Sequence, residues 1–87
     1  MAPKPTKRIL KGYIIMELLK KNLIRASAAH FESHIQKHKM NIEVILSNPI
    51  AIHDHTDIMT AIELELAHIA EYEDKLEALK KYFPIGE

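Results

Sequence analysis

Two stretches of the chain carry a stripe of mostly apolar side chains at alternating steps of four and three residues. The first stripe contains Ile24, Ala28, Phe31, Ile35, His38, Ile42 and Ile45. The second contains Ile58, Ile62, Glu65, Ile69, Tyr72, Leu76, Leu79 and Phe83. This spacing is typical of helices that pack side by side along one face. It predicts two long helices, over about residues 17–46 and 56–83.

The segment between the stripes, "SNPIAIHDHTD", is typical of a loop. Pro49 ends the first helix because proline has no amide donor and disfavours helix in the residue before it. Asp57 at the start of the second helix, and Lys80 and Lys81 near its end, suit the helix dipole. The sequence therefore predicts an all-α fold, in which residues 16–87 form a long antiparallel helical hairpin.

A hairpin of this size cannot cover both of its stripes. The chain has 87 residues, and a single core in a domain this small is marginal. We therefore expect a homo-oligomer, with a dimer forming a four-helix bundle as the favoured arrangement. Docking on a larger protein partner is the other possibility. The predicted oligomer interface consists of Ile24, Phe31, Ile35, His38, Ile42, Ile45, Ile62, Ile69, Leu76 and Phe83.

Charge is distributed unevenly along the chain. Residues 1–25 carry a net charge of +6, whereas residues 56–87 carry −5. Residues 1–15 are predicted to form a flexible or partly ordered basic arm. Such an arm could bind nucleic acid or an anionic membrane surface, or face the acidic second helix of the same or a neighbouring copy. The anion-binding candidates are Lys7, Arg8, Lys11, Lys20 and Lys21.

Composition argues against several classes of function. The chain has no cysteine and two glycines, so thiolate chemistry and a glycine-rich phosphate loop are not expected. No apolar run reaches the roughly 20 residues that span a bilayer. We therefore expect a cytoplasmic protein that is not an enzyme and has no cofactor.

The stretch "HFESHIQKH" places His30, His34 and His38 at steps of four residues. Each such step drifts by about 40° around a helix, so the three rings should fan across its surface. His38 falls on the stripe, while His30 and His34 lie progressively off it. The spacing favours an assembly surface with one buried polar position over a metal site.

Two other groups are metal candidates. His53 and His55 lie close together in the loop, where capping and loop polarity are the simpler interpretation. Glu65 and His68 form a Glu-x-x-His step of the kind used by ferritin-like di-iron bundles, and Glu32 could supply a further carboxylate. A ferritin-like iron site across a dimer interface is therefore an alternative function.

The stretches "AAHFESHIQKHKMNIEVIL" and "DIMTAIELELAHIAEYEDKLEALKKYF" resemble small uncharacterised α-helical proteins of T4-like marine phages. The resemblance covers about half of the chain, and the segment before Met16 departs from it. It implies a phage-encoded accessory or virion-associated protein, located in the host cytoplasm or the virion. From the residues themselves we expect a non-enzymatic interaction or structural protein that acts through self-association.

Overall fold

The described part of the chain folds as two α-helices. The computed structural model describes residues 3, 4, 6–47 and 55–85. Helix α1 runs from Lys7 to Ser47 and helix α2 from His55 to Tyr82. The helices are antiparallel, since His38 stacks on His68 while the earlier His34 stacks on the later Tyr72. The predicted all-α helical hairpin is confirmed.

Helix α1 begins well before the predicted start at Glu17. The Thr6 side-chain oxygen accepts a hydrogen bond from the Ile9 amide at 3.3 Å, and the Thr6 carbonyl accepts one from Leu10 at 3.0 Å. Threonine in this position caps a helix by satisfying an otherwise unpaired amide. Gly12 costs about 1 kcal/mol inside a helix, and the capped turn before it and the unbroken helix that continues to Ser47 outweigh that cost. The flexibility of the N-terminal segment stays a prediction.

The described residues form a rod in which no apolar core is buried. Its principal extents are 74 × 18 × 17 Å and its radius of gyration is 21.3 Å, against roughly 12 Å for a compact domain of this length. Within the described residues no hydrophobic side chain is buried, and His38 is the one buried residue. The predicted stripes do face each other, but their isoleucines are only half-buried.

Helix α1 extends beyond the end of α2. Leu79 and Phe83 lie beside Ile24 and Ala28 around an open cleft of about 630 Å³, which marks the last level at which the two helices meet. Residues 7–23, which we call the overhang, therefore have no neighbouring helix in the described chain, and each of their side chains is exposed. Neither described helix has an apolar window long enough to cross a membrane.

Candidate functional site

A polar layer joins the two helices near the middle of their contact. The carboxylate of Glu65 on α2 accepts hydrogen bonds from Nδ1 of His38 at 2.5 Å and from the amide of Asn41 at 3.1 Å. The side chain of His38 is 10% exposed and that of Glu65 is 22% exposed. All three side chains lie on the helix faces that meet, so each of these polar groups has a hydrogen-bond partner on the other helix.

Aromatic rings continue from the polar layer in a column between the helices. His38 stacks on His68 with ring centroids 4.5 Å apart, and His34 stacks on Tyr72 at 4.3 Å. His30 meets His34 edge to face at 4.6 Å. The three histidines of α1 therefore fan across the surface, from buried His38 to exposed His30. Among the described residues, which include no buried hydrophobic side chain, this column is the principal side-chain contact between the helices.

The exposed edge of the column carries an ion pair. Lys75 lies over the Tyr72 ring, 4.9 Å from its centroid, and its ammonium donates to Glu71 at 2.8 Å. Nδ1 of His68 lies 3.8 Å from the same carboxylate. The hydrogen bond between Lys75 and Glu71 lowers the pKa of Glu71 and raises the pKa of Lys75. Both groups are solvated, so their pairing contributes little to stability.

The environment of the column shifts two further pKa values downward. Hydrogen bonds from His38 and then Asn41 lower the pKa of Glu65, since they stabilise its charged form. Burial lowers the pKa of His34, and the positive charges of His30, Lys37, His38 and Lys75 lower it further. Those four groups face His34 from its own helix and from α2. The folded protein therefore favours ionised Glu65 and neutral His34.

We expect the free energy of unfolding to decrease as pH falls. Because the pKa of His34 is lower in the folded state, protonation below its ordinary pKa of about 6.5 favours the unfolded chain. The lowered pKa of Glu65 acts in the same direction at more acidic pH, where its carboxylate takes up a proton. Urea unfolding followed by circular dichroism from about pH 7 to about pH 5 measures the effect.

The control for this pH dependence is His34→Gln. Glutamine has no titration in this range, so its profile should be flatter than that of the wild type at the upper end of the range. A wild-type urea midpoint that stays constant, or rises, as the solution is acidified would contradict the prediction.

The hairpin does not bring together the residues suggested for an iron site. Glu65 is bonded to His38 and Asn41, and His68 stacks on His38, whereas Glu32 lies 4.0 Å from Lys80 toward the far end of α2. Within the described residues no three histidine, aspartate or glutamate side chains form a group that could hold a metal ion. A site shared between two copies stays a prediction.

The structure does not test the other metal candidates, His53 and His55. His53 lies outside the described residues, and His55 is described only as the first residue of α2. The prediction for this pair is therefore untested.

The five anion-binding candidates all lie on the overhang. Their side chains are exposed, and none of them forms an ion pair within the described part of the chain. The overhang contains these five basic residues and one acidic residue, Glu17, so residues 7–23 carry a net charge of +4. This basic charge shares the overhang with many exposed apolar side chains.

Comparison with known proteins gives no relative: no family model, no curated protein and no solved structure matches the chain. The resemblance to helical phage proteins stays a prediction. We therefore infer function from the contacts and exposed surfaces of the hairpin.

Sequence reasoning misses two members of the site. Asn41 follows His38 by one helical turn and shares its acceptor, but an asparagine at such a position is common on any helix surface. Tyr72 belongs to the second stripe, although the spacing does not predict its stacking on His34. One feature of the sequence could have indicated the column: four residues with aromatic rings lie on or beside the two stripes, namely His34, His38, His68 and Tyr72.

Proposed function

We propose that the protein is a helical interaction module that acts through self-association, with two hairpins packing into a dimer of four helices. One observation carries the proposal: within the described residues, the hairpin buries no hydrophobic side chain. Burial of apolar surface is the main favourable term in folding. Because this hairpin buries little apolar surface by itself, packing against another apolar surface would stabilise it strongly.

The half-buried stripe supports this proposal. Ile35, Ile62 and Ile69 lie where the helices meet, yet each remains partly exposed because each helix has only one neighbour. Complete burial of an isoleucine side chain contributes roughly 1.5–3 kcal/mol. A second copy packed over the open side of the stripe would supply part of this for several residues at once, as in other helix bundles.

The polar layer supports a specific association over a general one. His38, Asn41 and Glu65 satisfy one another only when the two helices have one particular register. The best-attested role of polar groups between packed helices is to fix the register and orientation of those helices. The hairpin can therefore present one defined surface to its partner.

Sedimentation equilibrium tests the proposal directly. The chain has a mass of 10.0 kDa, and we expect a dimer mass that dissociates on dilution. The thermal unfolding midpoint should rise with protein concentration, since association stabilises the folded state by mass action. A protein that remains monomeric at every concentration and still unfolds cooperatively would contradict the proposal, and would favour a function in which the hairpin docks on a larger partner or acts alone.

A further inference from the structure

Within the described part of the chain, the overhang, residues 7–23, has no neighbouring helix and carries a large apolar surface. Nine of its large hydrophobic side chains are exposed, among them Ile14 at 61%, Met16 at 65% and Leu23 at 68%. An exposed apolar surface of this kind indicates an interaction site. The overhang belongs to an uninterrupted helix that ends at Ser47, so it cannot fold back onto its own hairpin.

The apolar residues of the overhang surround the helix. Ile14, Ile15 and Met16 are consecutive, and consecutive residues point about 100° apart on a helix. A helix that is apolar on several sides needs neighbours on more than one side. A groove between two helices provides two neighbours, whereas a single facing helix or a flat surface provides one.

Acidic side chains of α2 lie beside the groove between α1 and α2, and their charge is opposite to that of the overhang. Helix α2 carries a net charge of −4 over His55–Tyr82, against +4 for the overhang. At about 100° per residue, four of its carboxylates fall within an arc of about 100° on the side opposite the ring column. None of the four forms an ion pair within the described residues. We call them the acidic flank: Glu63, Glu73, Asp74 and Glu77.

We propose that the overhang of each copy lies in the groove between α1 and α2 of a second copy, and that the exchange is reciprocal. Lys7, Lys11 and Lys21, which fall within an arc of about 80° on the overhang, would face the acidic flank. This inference rests on the proposed self-association and specifies its geometry. The lengths agree, since the overhang is about 25 Å long and residues 63–77 of α2 span about 21 Å. Leu66, which is 52% exposed beside the flank, would gain an apolar neighbour.

The alternative dimer, in which two overhangs pack on each other, is disfavoured by charge. It would bring together two overhangs that each carry a net charge of +4, and it would leave both acidic flanks without a basic partner. Juxtaposed like charges oppose association. It would also give each overhang only one neighbouring helix. The reciprocal arrangement places every level of α1 beside two other helices.

Charge exchange between two variants tests this arrangement. The overhang variant reverses the three lysines that share one face and carries Lys7→Glu, Lys11→Glu and Lys21→Glu. The flank variant reverses three carboxylates and carries Glu63→Lys, Glu73→Lys and Glu77→Lys. Each should dimerise at least roughly tenfold more weakly than the wild type, because each homodimer contains two repulsive contacts. An equimolar mixture should recover the wild-type dimer, since both of its contacts are then attractive.

A third variant controls for general attraction between oppositely charged chains. It adds three lysines on the helix faces turned away from the groove, by Ala26→Lys, Val44→Lys and Leu64→Lys. These positions are exposed. This back-face variant should dimerise on its own and should not rescue the overhang variant. Circular dichroism of each variant establishes that helicity is retained before its mass is measured by sedimentation.

The results of these measurements distinguish a failure of this arrangement from a failure of the proposed self-association. If the wild type is monomeric, self-association itself fails. If the wild type is a dimer and the flank variant dimerises equally well, the overhang lies elsewhere and only the present inference fails. Rescue by the back-face variant would also overturn it. Tight binding of the intact wild-type dimer to vesicles containing phosphatidylserine or to duplex DNA through Lys7, Lys11 and Lys21 would overturn it as well, because the overhang would then be free.

Discussion

Replacing Ile35 or Ile69 with aspartate should abolish both the dimer and most of the helicity. Both isoleucines lie in the stripe where the two helices meet. Aspartate removes an apolar contact and places a carboxylate where water access is reduced, which is costly for an unpaired charge. Because few other apolar contacts are made, the loss should exceed what the hairpin can sustain.

Circular dichroism and sedimentation measure this result together. The matched control is Leu64→Asp, at a position on α2 that is 59% exposed and turned away from the stripe. It introduces the same residue into the same helix as Ile69→Asp, so it has a similar cost in helix propensity. We expect the control to retain both helicity and dimer. Retention of helicity and dimer by Ile35→Asp or Ile69→Asp would refute the role assigned to the stripe.

Replacing Glu65 with leucine should destabilise the protein by about 1–3 kcal/mol, although leucine is the more hydrophobic residue. The substitution removes the acceptor of His38 and Asn41 together. A buried donor without a partner bears its full cost of desolvation. Guanidinium unfolding at a fixed protein concentration gives the difference in free energy.

The control is Glu65→Gln, whose side-chain oxygen can still accept a hydrogen bond, and its cost should be smaller. The double variant His38→Leu with Glu65→Leu should recover stability, since replacing both partners of a buried pair by apolar residues is often neutral or favourable. A single Glu65→Leu variant as stable as the wild type would show that the polar layer does not hold the helices together.

The two helices and their facing sides can be predicted from the sequence, because an apolar period of 3.5 residues is typical of helices that pack together. The start of α1 is harder to predict. Gly12 and the β-branched pair Ile14 and Ile15 lower helix propensity, and they make an extended segment an equally reasonable interpretation. What decides for helix is the cap at Thr6 and the continuity of the turns that follow.

The polar layer can be predicted only in part. The position of Glu65 on its stripe indicates that it needs a partner, and His38 is a polar position in the other stripe. Their pairing requires the register between the helices, which depends on the geometry of the connection after Ser47. No residue pattern on either helix alone specifies that register. The stacking of His34 on Tyr72 depends on it in the same way.

The rod shape has a practical consequence for hydrodynamic work. A radius of gyration of 21.3 Å is that of a compact chain of roughly 400 residues. A single copy should therefore leave a gel-filtration column far ahead of globular standards of its own mass. Its elution volume would resemble that of a large assembly, so light scattering or ultracentrifugation is the appropriate way to count copies.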